Sequence, residues 1–190
     1  MSTHFIQIEL RQGTLAWKQW RHRGIGASEA SIIMGESRFK SAAQLLQEKR
    51  GPVPDFPPNA AMSLGTRLEP EARRRYIAQI GRKVKPVCLQ SSQHHWMRAS
   101  LDGLCARNEL AVEIKCGRSA YAYAARYRSV SRDYYGQVQH IMAVTNLPEM
   151  HFFCYWPRCE EVLISVKRDK PYIDRLLTKG AEFWNAVQGA

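Results

Sequence analysis

The chain has 190 residues, 45% of them hydrophobic, which predicts one globular domain spanning residues 1–190 with a sizeable core. Lysine and arginine number 28 against 17 acidic residues, and this net charge of +11 favours a polyanionic partner, above all nucleic acid. No apolar run reaches the ~18 residues of a membrane-spanning helix, and no signal peptide is expected. The composition therefore argues against an integral membrane protein and favours a cytoplasmic one.

Helical patterns alternate with loops in the N-terminal part of the chain. Residues 14–22 predict a short helix, and residues 41–50 predict another that ends at Gly51. The proline-rich stretch 52–58 cannot be helical, so it is expected to form a rigid connector. A long helical pattern then begins at residue 59 and is expected to stop before Gly81.

A glycine-containing stretch between the first two helices carries a candidate anion site. Gly24 and Gly26 predict a tight turn, and Ser28 is expected to cap a helix through residues 31–34. A hydroxyl at a helix N-terminus, with Arg21 and Arg23 nearby, is typical of phosphate binding. An ordinary capped helix explains the same residues, so local sequence leaves both interpretations open.

Carboxylates also lie inside the long helix. Glu69 and Glu71 are surrounded by Arg67 and the run Arg73 to Arg75. Ion pairing within the helix explains this arrangement. The alternative is that Glu69, next to the apolar stripe, turns toward the acidic residues further along the chain.

Residues 96–116 predict a β-hairpin whose two strands carry acidic residues. Asp102 ends the first apolar run, and Glu113 and Lys115 share one face of the second because strand side chains alternate. Pairing of the strands would bring Asp102 close to Glu113. Carboxylate oxygens suit Mg²⁺, and a neighbouring lysine can stabilise charge on a phosphate. A solvated ion pair is the simpler explanation, but the apolar neighbours indicate a buried strand, where unpaired charges are costly.

The remaining elements complete a mixed pattern of strands and helices. Gln137 lies beside the apolar stripe of one helix, where a glutamine is usually a satisfied neutral partner. Five cysteines without a CxxC pair indicate reduced thiols, not disulfides or a zinc ribbon. The order of elements predicts an α/β (α+β) fold with a central mixed sheet flanked by helices. The predicted strands are 83–89, 150–156 and 161–167, the last two antiparallel, and the predicted helices are 119–130, 132–146 and 171–188.

Six stretches together resemble the lambda-exonuclease, or YqaJ-type viral recombinase, branch of the PD-(D/E)XK nuclease superfamily. They occur in the family's order over roughly residues 11 to 157, and the series is specific although each stretch alone is weak. Leu101 departs from the pattern, since the superfamily's name puts proline there. The resemblance implies a restriction-endonuclease-like core. The stretches are AWKQWRHRGIGASEAS, LGTRLEPEARRRY, SLDGLC, VEIKC, YYGQVQHIMAVT and HFFCYWP.

The resemblance also implies a metal site and its chemistry. Asp102 and Glu113 would bind Mg²⁺, with Mn²⁺ as a substitute, and the backbone carbonyl of Ile114 would add a further oxygen ligand. Lys115 would position or activate the attacking water. Glu69 would project from its helix toward the metal or its water shell.

Three further residues match positions that lie around the metal site in the family. Gln137 would orient Lys115 or the water, and Arg21 and Ser28 would form a pocket for the 5′-phosphate of DNA. Such enzymes degrade duplex DNA from the 5′ end, release mononucleotides and leave a 3′ overhang. They form trimeric rings around DNA and work with a single-strand annealing protein in phage recombination, which implies a phage or prophage origin and action in the bacterial cytoplasm.

The expected function is therefore a Mg²⁺-dependent 5′→3′ exonuclease acting on double-stranded DNA. An endonuclease of the same superfamily is the first alternative, and closed circular DNA would separate the two. A non-catalytic DNA-binding module is the second, although Asp102, Glu113 and Lys115 are all present. A basic interaction protein with no role on DNA is the last, and it predicts no affinity for duplex ends.

Overall fold

The computed structural model describes residues 4–54 and 59–189, and its elements follow the predicted alternation closely. The strands are β1 (Phe5–Ile8), β2 (Ile25–Gly26), β3 (Val84–Ser91), β4 (Met97–Cys105), β5 (Ala111–Lys115), β6 (Glu149–Cys154) and β7 (Val162–Lys167). The helices are α1 (Leu15–His22), α2 (Ala30–Ile33), α3 (Ala42–Arg50), α4 (Ala60–Ile80), α5 (Arg118–Tyr127), α6 (Arg132–Thr145) and α7 (Lys170–Gln188). None of these helices is long and apolar enough to cross a membrane.

The strands in the described residues form one mixed sheet in the order β1-β3-β4-β5-β6-β7, with β2 paired to β4 outside this series. The β5–β6 and β2–β4 pairs are parallel, and the other pairs are antiparallel, including the predicted β6–β7 pair. One apolar cluster joins β4 to α6 through Leu101 and Val138. A second joins β5 to α4 through Val112 and Tyr76. The predicted fold, a central mixed sheet flanked by helices, is confirmed.

Polar caps and left-handed residues set the helix ends near the predicted positions. The Thr14 side chain accepts a hydrogen bond from the Trp17 backbone N–H at the start of α1, and the Asn59 side chain accepts one from the Met62 backbone N–H at the start of α4. Gly81 ends α4 with a φ of 71°. Helix α5 ends three residues earlier than predicted, because Arg128 adopts a left-handed conformation. In the predicted connector, residues 52–54 lie outside helix and strand, and residues 55–58 lie outside the described residues.

The glycine-containing stretch differs from its prediction. The predicted turn is limited to residues 23 and 24, because Ile25 and Gly26 form β2, which was not predicted, and pair in parallel with β4. A Cβ on Gly24 would lie 2.5 Å from the Arg98 Nε, so glycine permits this close approach of the backbone. Ser28 is not an N-cap. It lies within a 3₁₀ turn, Ala27–Glu29, which precedes the single-turn helix α2.

A β-bulge in β4 lies at the position of Asp102. Lys85 pairs with Leu104 and Val87 pairs with Leu101, so Asp102 and Gly103 together oppose Pro86 alone. Proline cannot donate a ladder hydrogen bond, which makes a bulge the place in a sheet where it is tolerated. Bulges re-aim side chains. The bulge therefore changes the direction of Asp102 at the edge of the β4–β5 pairing.

We expect Gly103→Ala to destabilise the fold by about 1–3 kcal/mol, because a new Cβ would overpack the core at this bulge. That Cβ would lie 2.7 Å from both the Val112 Cγ1 and the Val84 Cγ2, and both valines are buried. Urea or thermal unfolding measures the change. Gly65→Ala in α4 is the control. It meets nothing within 4 Å, so it should be neutral or stabilising. Equal stability of the Gly103 variant and the wild type would contradict the packing at the bulge.

Candidate functional site

The bulge places the Asp102 carboxylate against the backbone of β5. Its Oδ2 accepts a hydrogen bond from the Ile114 N–H at 2.8 Å. Regular pairing of β4 with β5 covers only Gly103 with Val112 and Leu104 with Ala111. The side chain of Asp102 thus satisfies a strand N–H just beyond the paired segment.

Glu113 is the most buried acidic group of the site, with only 3% of its side chain exposed. Its Oε1 accepts hydrogen bonds from the Lys115 Nζ at 2.7 Å and from the Gln137 Nε2 at 2.6 Å. Its Oε2 is buried and has no hydrogen-bond partner among the described residues. Burial of a carboxylate oxygen without a hydrogen-bond donor costs free energy, so a cation at this atom would be favourable.

Three groups hold the Lys115 ammonium in place. Besides Glu113, it donates to the Gln137 Oε1 at 3.1 Å and lies 4.8 Å from the centre of the Tyr134 ring. Burial opposes the charge of Lys115, but Glu113 and Asp102 outweigh it and raise the pKa of the lysine above its usual value. With no cation bound, Lys115 therefore carries its proton at neutral pH. It is suited to orient a water or stabilise negative charge, not to remove a proton.

Negative charge is crowded around Asp102. Burial is the largest cause, and together with the neighbouring Glu113 and Glu69 carboxylates it raises the pKa of Asp102 well above its usual value. Lys115 and the hydrogen bond from Ile114 act in the opposite direction without balancing these causes. A cation at this point would relieve the repulsion between the carboxylates.

The polar backbone groups of Ile114 face β4, the strand that carries Asp102. The Tyr155 N–H donates to the Lys115 carbonyl at 3.0 Å, so the polar backbone groups of Lys115 face β6. Consecutive residues of a strand direct these groups to opposite sides. Those of Ile114 therefore face β4, in agreement with its N–H bond to Asp102.

The donors fit a hard divalent cation. Glu113 offers its unpartnered oxygen, Asp102 offers the oxygen that Ile114 does not use, and the Ile114 carbonyl lies on the same side. Mg²⁺ is commonly bound by one or two carboxylates, with waters completing its octahedron. Among residues 4–54 and 59–189, no group of three or more His, Cys, Asp or Glu side chains is arranged to hold a metal.

Glu69 lies near Asp102 but already has an ion-pair partner. It forms an ion pair with Arg73 one helical turn away, as the intrahelical alternative predicts, and Arg73 also donates to the Asp102 backbone carbonyl at 2.8 Å. Glu69 nevertheless acts on the site electrostatically, because its charge contributes to the raised pKa of Asp102. Arg73 was predicted as a partner in ion pairing within the helix, but its contact with Asp102 was not predicted. The spacing of four residues between Arg73 and Glu69 is the signal that identifies the ion pair.

Arg21 and Ser28 meet as predicted, although Ser28 is not a helix cap. The Arg21 Nη2 donates to the Ser28 Oγ at 2.8 Å, and the guanidinium lies 4.8 Å from the centre of the Trp17 ring. A Cβ on Gly26 would lie 3.1 Å from the Arg21 Nε, so glycine leaves room for the guanidinium. A fixed guanidinium beside a hydroxyl is a suitable group for binding a phosphate.

One cavity of about 170 Å³ connects these two groups of residues. Ser100 in its wall was not predicted, yet it lies two residues before Asp102 on β4, and strand alternation identifies it. The Trp17 indole N–H donates to the Ser100 Oγ at 2.8 Å. Gln12 and Trp17 have no comparable local signal, since the tertiary fold brings them to the site. The cavity is lined by Gln12, Trp17, Arg21, Ala27, Ser28, Ser100, Asp102, Glu113 and Gln137.

Residues 16–148 match the YqaJ-like viral recombinase domain, which covers most of the chain. The chain belongs to this family. A relative in Bacillus subtilis (strain 168), the uncharacterized protein YqaJ, is 27% identical over 194 residues. That alignment covers 97% of the chain but only 60% of YqaJ, so the chain spans less than two thirds of this family member. The predicted resemblance is confirmed.

Solved structures share the fold of this chain. The alkaline exonuclease LHK-Exo from Laribacter hongkongensis, also solved in complex with dAMP, has a TM-score of 0.81 and 26% identity, with 93% of each chain covered. A phage-related exonuclease from Haemophilus somnus 129PT has a TM-score of 0.69 and 12% identity, covering 90% of this chain and 96% of that one. The second likeness concerns the fold alone.

Proposed function

We propose that this YqaJ-like protein is a nuclease, and specifically a Mg²⁺-dependent 5′→3′ exonuclease that acts on double-stranded DNA. It releases mononucleotides and leaves 3′ single-stranded overhangs. The observation that carries the proposal is the single cavity lined by Asp102 and Glu113 together with Arg21 and Ser28. The likeness to LHK-Exo, named an alkaline exonuclease, supports it.

The spacing of the cavity walls supports cleavage at a fixed distance from a DNA end. Ser100 beside the Arg21 pocket and Asp102 beside the cation donors are separated by two residues of β4, or about 7 Å of strand. That distance is of the order of one nucleotide step. A terminal phosphate held by Arg21 and Ser28 would therefore leave the next phosphodiester at the carboxylates, which accounts for mononucleotide products.

Each residue near the carboxylates has a defined task in this proposal. Asp102, Glu113 and the Ile114 carbonyl would hold Mg²⁺, or Mn²⁺ in its place. When bound, the ion would supply a water of lowered pKa and positive charge for the phosphate. Lys115, charged and fixed by Glu113 and Gln137, orients the water and places a second positive charge at the phosphate.

The proposal extends to partners and assembly. The net charge of +11 supports backbone contacts with duplex DNA that weaken steeply as salt rises. A homotrimeric ring around the duplex and a single-strand annealing protein that receives the overhang follow from the family resemblance. The viral recombinase domain supports a role in recombination of phage type, in the cytoplasm of a bacterial host.

Arg21→Ala tests the phosphate pocket. The variant should lose most of the preference for 5′-phosphorylated over 5′-hydroxyl duplex ends, by about 10-fold or more, because a charge-assisted contact to the phosphate is removed. Initial cleavage rates on the two ends measure the ratio. Arg11→Ala is a matched control, since it removes an arginine near the start of α1 that does not line the cavity. Equal losses on phosphorylated and hydroxyl ends would contradict the assignment of the pocket.

A further inference from the structure

A buried lysine lies beneath the phosphate pocket. Lys49 belongs to α3, and only 3% of its side chain is exposed. Its Nζ donates to the Gly24 carbonyl at 2.7 Å and to the Arg21 carbonyl at 3.1 Å, and it lies 2.9 Å from the Glu29 Oε1. An ammonium group has three N–H donors, so these three oxygens can satisfy it completely.

The three acceptors span the segment that carries the pocket, residues 21–29, here called the pocket loop. Arg21 lies in the last turn of α1, Gly24 precedes β2, and Glu29 ends the 3₁₀ turn. The second oxygen of Glu29, Oε2, accepts from the Gly26 N–H at 2.8 Å. One ammonium therefore ties together both ends of the pocket loop, and Ser28 lies inside the tied segment.

Stability alone is a weak explanation for this buried charge. Burial lowers the pKa of Lys49, although the ion pair with Glu29 acts in the opposite direction. Replacement of a buried ion pair by apolar residues of similar size is often neutral or stabilising. The surroundings would accept such a residue, since Leu45 on the same helix packs in an apolar cluster with Ile25. The lysine provides directed bonds that an apolar side chain would not.

The geometry of the phosphate pocket depends on the directed hydrogen bonds of Lys49. The Arg21 guanidinium must stay beside the Ser28 hydroxyl. Lys49 holds the Arg21 carbonyl directly, and it holds Ser28 indirectly through Glu29, the next residue in the chain, which also accepts from the Gly26 N–H. A loop that is fixed before DNA arrives loses less conformational entropy on binding. The contribution of Lys49 should therefore appear in phosphate recognition more than in the chemical step.

We propose that Lys49 is a positioning residue that fixes the pocket loop, and through it Arg21 and Ser28, for recognition of a 5′-terminal phosphate. This inference rests on the proposed function, because it needs a phosphate pocket at Arg21 and Ser28. It adds a residue that lies outside the cavity of the candidate site and contacts neither the carboxylates nor Lys115. It also predicts that end preference can be lost while hydrolysis remains.

The test measures binding of a 5′-phosphorylated and a 5′-hydroxyl duplex by fluorescence anisotropy. EDTA is present so that cleavage does not contribute. Wild-type protein should prefer the phosphorylated duplex, and Lys49→Met should reduce this preference by about 10-fold, as loss of a group that orients a binding residue typically does. In Mg²⁺, the same variant should show a raised KM on phosphorylated ends and a nearly unchanged kcat.

Two further variants separate positioning from folding. Lys40→Met removes a lysine whose partner is Glu48, outside the pocket loop, and should leave the preference unchanged. Lys49→Met/Glu29→Gln leaves no unpaired buried charge, and its amide oxygen can still accept from Gly26. This double variant should regain the thermal midpoint that Lys49→Met loses without regaining the phosphate preference.

The outcomes distinguish this inference from the proposed function. Wild-type protein that binds both ends equally would overturn the phosphate pocket, and the positioning role with it. A wild type that prefers phosphate, together with a Lys49→Met variant or a stable double variant that keeps the preference, would overturn the positioning role alone. Loss of preference in both, with Lys40→Met unchanged, is the result that the structure leads us to expect.

Discussion

Lys115→Met should lower the rate of DNA cleavage by at least about 100-fold, the usual cost of removing a group that stabilises transition-state charge. The methionine keeps most of the unbranched side chain, one atom shorter, but it lacks the ammonium that contacts Glu113, Gln137 and the Tyr134 ring. Duplex affinity should change only a few-fold, because Lys115 is one of 28 basic residues. Single-turnover cleavage and metal-free binding measure the two effects separately.

Lys85→Met is the matched control for this variant. Lys85 lies on β3, which β4 separates from β5, and its side chain is exposed, so both rate and affinity should stay close to wild type. The Lys115 variant must also be shown to fold, by thermal unfolding, because it removes a partner of the buried Glu113. Wild-type cleavage in folded Lys115→Met would remove the lysine from the mechanism.

Asp102→Asn should strongly weaken cation binding and cleavage while leaving the local fold intact. The asparagine Oδ1 can still accept from the Ile114 N–H, so the edge of the β4–β5 pairing keeps its hydrogen bond. The amide carries no negative charge and binds a hard cation more weakly than the carboxylate does, so we expect both Mg²⁺ affinity and cleavage to fall by at least about 100-fold. Calorimetric titration with Mg²⁺, and with Mn²⁺ where the heat is larger, measures affinity.

Although Asp102→Asn should impair cation binding and cleavage, it should increase the stability of the metal-free protein at high pH. Since its pKa is raised in the fold, Asp102 keeps its proton at pH values where the unfolded chain has lost it. Its contribution to stability is therefore favourable at low pH and is lost as the pH rises through the raised pKa. The substituted asparagine does not ionise, so metal-free Asp102→Asn should gain thermal stability over wild type at pH 8 and little at pH 4. A loss of stability at pH 8 would contradict the crowding of carboxylates.

The sequence predicts most of the fold because its periodicities and stop signals are strong. The seven predicted helices all form, and polar caps or left-handed residues set the ends of most of them. They were predicted at residues 14–22, 31–34, 41–50, 59–79, 119–130, 132–146 and 171–188. Strand β1 was not predicted. It has four residues, two of them exposed, and its pairing with β3 joins residues far apart in the chain. Such pairing leaves little local signal.

The candidate site was predicted as a set of residues but not as a geometry. Asp102, Glu113 and Lys115 do meet, because adjacent strands and side-chain alternation bring them together. The bulge opposite Pro86 was not predicted, since it depends on the register of a third strand. Ser28 lies beside Arg21 for a reason other than the predicted one, because a short parallel strand, not a helix cap, positions it.

Buried polar networks are the part of the site that a sequence pattern does not reveal. Lys49 has the pattern of one more basic residue at the end of an amphipathic helix, and only the fold brings its ammonium to the carbonyls of Arg21 and Gly24. Gln137 has the pattern of an ordinary neutral partner, yet its amide donates to Glu113 and accepts from Lys115. Both residues are defined by contacts distant in sequence.

The most direct measurement is digestion of linear duplex DNA with Mg²⁺, using strands labelled separately at the 5′ and 3′ ends, beside covalently closed circular DNA. We expect the 5′ label to appear first, as a mononucleotide, from phosphorylated ends, and the 3′ label to be retained until late. We also expect an intact circle and no reaction in EDTA. Release of the 3′ label first, or cutting of the circle, would contradict a 5′ exonuclease, and binding without cleavage in either Mg²⁺ or Mn²⁺ would indicate a non-catalytic DNA-binding module.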